Sequence, residues 1–595
     1  MRLLAALVLP VLFVSCGDEE PPQIPTRKDA PYATAPSRPA DSTKRPDHPV
    51  SLKNITRDAG ITFIHDNGTT GKKWLPETMG SGVAWFDADG DGDDDLLLLG
   101  ASRLDRPATS TTHCYRNDGN GRFVDVTSSC GINLPVFALG VAVADVDGDQ
   151  DTDVFVTGLG GYRYFENLGG FKFRDQTDAS GLHGKPLEDA KGPDTPSFPT
   201  SAAFADIDLD GLPDLFVCHY VRWSAATDVW ATIDGKTKSY AIPDQYQGES
   251  CRLWRNLGKG RFEDITIRAG IRNDESKALG VCVIDINADG APDFFVANDK
   301  WANFLYLNDG SGNFRDVALE WNVAYGPDGR ARAGMGIDVG CLDEQLLPTI
   351  AIGNFSNEPL SLFELALPKG ESDRNAGVMI NRADVTGVAA LTQAPLTFGV
   401  VFADLDLDGL EDLILANGHI EPTIGDVHSG LTYAQPAQWL RNLGGRRFAD
   451  NSRNTGADLL VPLVGRGLAV SDLDRDGDLD VLMTSNGGTP TLLRCDTPPN
   501  RSLAVRLRGT RSGTDALGAT VRLVNFDGSN QIRTVHSGSS YLSASTYELI
   551  FGLGKGDPAK EIIVRWPAKP AHSVTYTGPF KPGRLVIDEQ TGILR

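Results

Sequence analysis

The chain is poor in positive charge. Its 595 residues hold 56 Lys and Arg against 79 Asp and Glu, a formal net charge of −23. Nucleic acid is excluded as a partner, because its phosphates demand clusters of Lys and Arg. Long apolar runs are missing too. The one candidate, Leu3 to Val14 behind Arg2, is shorter than the roughly 20 residues that cross a bilayer and reads as an export signal. No later segment is long and apolar enough to span a membrane. With nine histidines in all, no His-rich metal site stands out, and no Ser-His-Asp order marks a hydrolase.

What is present begins with the N-terminus. The apolar run ends in Leu12-Phe13-Val14-Ser15-Cys16, which resembles a bacterial lipobox with Phe13 where leucine is usual. Residues 1–16 are expected to be a lipoprotein signal, with Cys16 lipidated and the only point of membrane contact. An ordinary signal peptide is the alternative. Residues 17–49 hold eight prolines between Pro21 and Pro49 and almost no large apolar side chain. Such a stretch cannot bury enough surface to offset its ordering entropy, so it is expected to be a disordered tether. The two segments together place the protein outside the cytoplasm on a bacterial membrane, periplasmic or at the cell surface.

An internal repeat sets the architecture of the rest. An acidic string recurs seven times, six times intact. Asp87, Asp89, Asp91 and Asp95 form the first, and Asp145, Asp147, Asp149 and Asp153 the second. Asp206, Asp208, Asp210 and Asp214 form the third, and Asp285, Asn287, Asp289 and Asp293 the fourth. Asp404, Asp406, Asp408 and Asp412 form the sixth, and Asp472, Asp474, Asp476 and Asp480 the seventh. From Asp87 to Asp472 the spacing averages about 64 residues. Short apolar runs bounded by glycine flank each string and read as buried strands. A hairpin with an Asn-x-Gly turn and a Phe-x-Asp strand follows. Four short strands per repeat predict an all-β chain with a seven-bladed β-propeller over residues 50–497. The Phe-x-Asp-x-Thr strand is missing after the seventh string but has a counterpart at Asn54 to Ile61, so residues 54–61 are expected to close the ring and remove its open edges. Residues 498–595 lack acidic strings and alternate in the manner of a separate small C-terminal β-sandwich.

Carboxylates at positions 1, 3, 5 and 9 of a curled loop can converge on one point, and with a backbone carbonyl they form the oxygen-only shell that Ca²⁺ prefers. Without a cation the loop repels itself. An EF-hand would need glutamate at position 12, where Leu98, Val156, Val217, Val296, Leu415 and Met483 stand instead. The fifth repeat has Cys341 at position 1, Asp343 at 3, Gln345 at 5 and Thr349 at 9, so it should hold no ion. Six calcium ions are therefore expected, which would halve the net charge to about −11.

The strings resemble FG-GAP or VCBS repeats, and the tail resembles an ASPIC/UnbV domain through Asp515 to Ala519, Gly538 to Ser543, Phe551 to Gly554 and Val564 to Pro567. With Leu75 to Gly80, Asp328 to Gly336 and Asn417 to His419, the whole of residues 50–590 resembles the cartilage-acidic-protein family. The resemblance implies calcium binding and an extracytoplasmic setting, and it implies no particular activity. The fifth string departs from the pattern, as does Tyr240-Ala241 in the insertion at 221–250, where many relatives carry cysteine.

Cys218 and Cys251 flank that insertion and could pair, as could Cys114 and Cys130 at one end of a hairpin, while Cys282, Cys341 and Cys495 read as buried thiols. On the face opposite the acidic loops, Asn298 to Lys300, Asn354, Asn357, Glu358 and Glu421 gather with five residues that form a candidate ligand face: Glu77, Arg330, Arg332, Asn417 and His419. The expected function is an exported, calcium-stabilised binding or scaffold module for a protein or carbohydrate ligand, and not an enzyme. The alternatives are a propeller enzyme acting on a polar ligand such as a glycan at that face, and a purely structural wall component.

Overall fold

A computed structural model describes residues 49–106, 109–184, 195–342, 346–499 and 501–594. Cys16, most of the tether, Asp343 and Gln345 lie outside the described residues. No helix among the described residues is long and apolar enough to cross a membrane.

The apolar runs on either side of each acidic string become the first two strands of a four-stranded antiparallel sheet, and in five of the sheets an Asn-x-Gly hairpin supplies the other two. In the first sheet these strands are Val83–Phe86, Asp95–Leu98, His113–Asn117 and Phe123–Asp125. The ninth-position aspartate opens the second strand and sits opposite the residue that precedes the string: Asp95 opposite Phe86, Asp153 opposite Ala144, Asp214 opposite Ala205, Asp293 opposite Ile284, Asp412 opposite Ala403 and Asp480 opposite Ser471. Loop length therefore fixes the register of the two innermost strands. Seven such sheets occupy residues 51–496 among the described residues. Their innermost strands touch in chain order, and Gly465–Ser471 of the last touches Val83–Phe86 of the first, so the sheets form a propeller-like ring.

The last sheet is completed from the N-terminus. Ser51–Asn54 pairs antiparallel with Thr491–Asp496, Ser51 opposite Asp496 and Asn54 opposite Leu493. The closing strand thus lies just upstream of the expected residues 54–61. Asn54 ends it, and its Oδ1 accepts the amide and hydroxyl of Thr56 at 3.1 and 2.8 Å. Asp125 ends the outer strand of the first sheet the same way, accepting the amide of Thr127 at 2.9 Å. The Asp-x-Thr end of the motif is a strand terminus with its turn, so the paired residues precede it.

The C-terminal residues form two further four-stranded sheets. In one, Ser502–Arg508 lies between Leu549–Gly552 and a parallel neighbour, Gly583–Asp588. This region packs against the ring. Val505, Val521, Leu523, Phe551, Ile562 and Trp566 share one buried cluster with Ala142, Val143 and Phe155 of the second ring sheet. The segment from Ser537 to Tyr547 runs along the inner strands of the ring. Ala544 exchanges hydrogen bonds with Val83 and Trp85 (2.9 and 3.0 Å), Leu542 O accepts from Val141 N (3.2 Å), and Ser540 O accepts from Ile337 N (3.0 Å). Ser537 Oγ accepts from Phe204 N (3.1 Å), and Thr546 N donates to Val470 O (3.1 Å). Tyr541 and Leu542 are fully buried, Tyr541 against Phe398 with ring centres 4.9 Å apart. Gly82 permits the approach, since a Cβ there would sit 2.0 Å from Leu542 O.

Burying one such side chain is worth about 1.5–3 kcal/mol. Leu542→Ala should therefore destabilise the whole protein by about 2–5 kcal/mol, read as a lowered thermal midpoint of a single transition. Ring unfolding at an unchanged temperature would show that the C-terminal region does not support the ring.

Candidate metal centres and the opposite face

Each acidic loop is built around its first aspartate. Asp87 accepts the amides of Gly90 and Gly92 at 2.8 and 2.9 Å, and Asp145 accepts those of Gly148 and Gln150 at the same distances. Asp206 and Asp404 do likewise with Asp210 and Gly211, and with Asp408 and Gly409. The sixth position turns left-handed in all six loops, at Gly92, Gly211, Gly290, Gly409, Gly477 and Gln150. Glycine is frequent there because it adopts that conformation without strain.

The ninth aspartate is a latch as well as a ligand candidate. Asp95 accepts Asn117 N and Ala88 N at 2.8 and 2.9 Å, tying the third strand and the loop together. Asp153, Asp214 and Asp293 repeat both bonds, and Asp480 does so with Cys495 and Leu473. Burial, with the charge of neighbouring aspartates, pushes Asp95 and Asp153 each up to about 8 despite these backbone bonds.

Five loops gather three carboxylate oxygens within 4.8 Å of one another: Asp87, Asp89 and Asp95; Asp145, Asp147 and Asp149; Asp206, Asp208 and Asp210; Asp404, Asp406 and Asp408; and Asp472, Asp474 and Asp480. In each of them the third-position carboxylate keeps a buried oxygen without a hydrogen bond: Oδ1 of Asp89, Asp147, Asp208, Asp406 and Asp474. Orphaned buried oxygens are costly, and convergent like charges raise the cost. Asp147 is pushed up to about 6 by burial and then by Asp149 and Asp145, and Asp206 up to about 7 by burial, with Asp210 and Asp208 adding to it. A hard divalent cation fits this donor set, since all the donors are oxygen and the orphaned atoms point to a missing positive charge. Some of the charge is met by protein groups: Arg255 lies 2.5 Å from Asp208 Oδ2, and Arg441 lies 2.6 Å from Asp406 Oδ2. The fourth loop fits less well. Its third position is Asn287, and Arg565 of the C-terminal region lies 2.9 Å from Asp285 Oδ2.

A set of residues that the sequence presents only as turn formers joins the sheets at this face. The asparagine of each hairpin reaches the second-position carbonyl of the preceding loop: Asn117 to Leu473 O (2.9 Å), Asn167 to Ala88 O (3.0 Å), Asn256 to Val146 O (2.9 Å), Asn308 to Ile207 O (2.8 Å) and Asn442 to Leu342 O (3.1 Å). Their recurrence at one place in the repeat is the signal that could have marked them.

On the opposite face the five candidate residues divide. Glu77 is buried and accepts from Thr70 N and Oγ1 (3.1 and 2.6 Å) and from Tyr240 Oη (3.2 Å). His419 lies nearby, its Nδ1 accepting Glu421 N at 3.0 Å and its buried Nε2 left without a partner. Burial, then the charge of Arg466, pulls His419 down to about 4. Lys73 bridges this group, 2.7 Å from Glu421 and 4.6 Å from the centre of the Tyr240 ring. Arg332 pairs with Asp328 at 3.1 Å, and Arg330 beside it is exposed. Asn417 does not reach the surface. It is fully buried, with its amide satisfied by Thr397 Oγ1 (2.7 Å) and Pro436 O (2.9 Å), and it serves the sheet.

Arg466 carries no mark in the sequence that sets it apart. Its fully buried guanidinium donates to Thr78 O (2.8 Å), Gly465 O (2.7 Å) and Gly418 O (3.1 Å), and stacks 4.0 Å over Phe398. It thereby pins the seam where the last sheet meets the first. A cavity of about 60 Å³ opens beside it, lined by Leu75, Met79, Tyr220, Phe355, Phe398 and Ile420, with Asp299 at its edge. The seven described cysteines are free thiols. The sulfurs of Cys114 and Cys130 nevertheless lie 3.1 Å apart, while Cys251 Sγ lies 3.4 Å from Ser276 Oγ.

If the orphaned oxygens receive a cation, Asp147→Asn should lower the thermal midpoint in millimolar calcium by about 2–4 °C. After chelation the same variant should melt no lower than the parent, because it removes a repelling charge. Paired melting curves check both signs.

By sequence, residues 509–592 match the ASPIC and UnbV family, and residues 87–156, 145–217 and 285–340 match the FG-GAP-like repeat. The chain is 24% identical over 512 residues to cartilage acidic protein 1 of Homo sapiens, covering 83% of this chain and 69% of that one. With its counterpart in Mus musculus it is 23% identical over 512 residues, covering 83% and 71%. Among solved structures it resembles an Agrocybe aegerita lectin that recognises non-reducing terminal N-acetylglucosamine (TM-score 0.38, 15% identity, 75% of this chain and 97% of that one). It also resembles a rhamnogalacturonan lyase of Bacillus licheniformis (TM-score 0.34, 12% identity, 70% and 71%). These two likenesses concern the fold alone. The chain carries FG-GAP-like repeats and an ASPIC and UnbV domain, and it is a homologue of cartilage acidic protein 1.

Proposed function

We propose that this protein is an exported binding scaffold, held in shape by calcium, that presents the face around Glu77, His419 and Arg330 to a protein or carbohydrate ligand and catalyses no reaction of its own. The supporting observation is the set of five orphaned third-position oxygens, each beside two more carboxylates. Calcium accepts six to eight oxygen ligands in flexible geometry, which suits loops in which the ninth aspartate joins the first and third in two cases and the fifth does so in three. Bound there, it would supply positive charge at the point where each loop sets the register of its two innermost strands. The polar groups at the opposite mouth are held by the same sheets, so their spacing would depend on the loops.

The proposed anchoring of the chain through Cys16 and a tether accords with a module displayed on a membrane surface. A screen of the purified protein against glycans and secreted proteins, in calcium and then in chelator, tests the reading. Saturable binding should weaken about tenfold in Arg330→Ala and should be lost on chelation. Turnover of a bound glycan, abolished in His419→Ala, would show an enzyme instead, and the absence of any saturable ligand would leave a structural role.

A further inference from the structure

The fourth loop is built differently from the other five. Its third position brings an amide, and that amide is satisfied: Asn287 Nδ2 donates to Asp289 Oδ2 at 2.7 Å and to Asn375 Oδ1 at 3.2 Å, and its Oδ1 accepts Asp289 N at 3.2 Å. Asp89, Asp147, Asp208, Asp406 and Asp474 at the same position each keep an orphaned oxygen. The first aspartate differs as well. Asp285 Oδ2 accepts Gly290 N at 3.0 Å, as its counterparts do, and it also accepts Arg565 Nη1 at 2.9 Å. Arg565 belongs to the C-terminal strand Ala559–Trp566, so this guanidinium comes from outside the ring. Arg255 and Arg441, which meet the third and sixth loops, come from the ring itself and pair with the third-position aspartate rather than the first. One buried oxygen remains without a partner in the fourth loop, Asp285 Oδ1. What sets this loop apart is that no three of its carboxylate oxygens gather within 4.8 Å of one another, as they do in each of the other five, so the oxygen shell that a hard cation needs is not assembled.

We infer that the fourth loop takes no metal ion and is closed instead by Arg565, which acts as a tethered cation and pegs the C-terminal region onto the ring. The inference rests on the proposed ion binding at the other loops. It changes the expected stoichiometry from six ions to five and gives the C-terminal region an attachment that survives loss of metal. Asn287 and Arg565 act together here. The amide removes a carboxylate that would repel its neighbours, and the guanidinium supplies a fixed charge where the other loops need a mobile one.

Hydrogen exchange on the intact wild-type protein, with calcium and with chelator, reads each loop separately. On chelation, amides in 87–95, 145–153, 206–214, 404–412 and 472–480 should exchange about tenfold faster, while those in 285–293 keep their rate. Arg565→Gln should speed exchange in 285–293 with calcium still present. Arg565→Gln combined with Asn287→Asp should make that loop respond to chelator and add one bound ion by native mass spectrometry. A fourth loop that responds with the rest in the wild type overturns the inference and leaves the proposed function standing. If no loop responds, the proposed ion binding fails and the inference falls with it.

Discussion

The organisation of this protein depends on the repulsion among carboxylates gathered at the turn between the first and second strands of each sheet. Those turns cannot be relaxed by moving the aspartates apart, because the same residues hold the backbone. The first aspartate accepts the amides of its own loop, and the ninth ties the loop to the third strand. Charge and geometry are therefore bound to one another, and whatever neutralises the turn also fixes strand register. Protein cations meet the need partly, through Arg255, Arg441 and Arg565. The buried third-position oxygens left over at five loops mark where they do not.

A ring of sheets has two weaknesses, the seam between its ends and the space along its axis. The seam is covered three ways: by the strand Ser51–Asn54, by the carbonyl cage around Arg466 and by Asn117, which reaches from the first sheet to Leu473 of the last. The axis is taken by the segment from Ser537 to Tyr547, whose backbone bonds to inner strands on several sides. The C-terminal region is thus a structural member of the ring and sits on the face where the acidic loops are. Ring and C-terminal region share a buried core, and a shared core favours unfolding as one unit.

Much of this architecture is legible in the sequence, because it is written locally and repeatedly. Apolar runs beside an acidic string give two strands, an Asn-x-Gly hairpin gives two more, and a missing outer strand at one end points to a spare one at the other. The closing strand lies a few residues from its expected place because the Asp-x-Thr motif marks where a strand stops, and the paired residues Ser51 and Leu52 carry no motif. The axial segment is hidden because its partners lie hundreds of residues away, and Gly538 to Ser543 has neither strand nor helix periodicity. Asn417 reads as a surface group because polar residues at strand ends usually face water, whereas here Thr397 and Pro436 satisfy it internally. Asn117 and its counterparts read as turn formers, and only the neighbouring sheet reveals their second task.

Bound metal, counted by elemental analysis on protein purified without chelator and dialysed against trace calcium and excess magnesium, tests the central claim most directly. Several calcium ions per chain, removed by a strong chelator together with a marked fall in melting temperature, is the result that charge neutralisation at the acidic turns predicts. A metal-free protein whose melting curve is the same with and without chelator would contradict it.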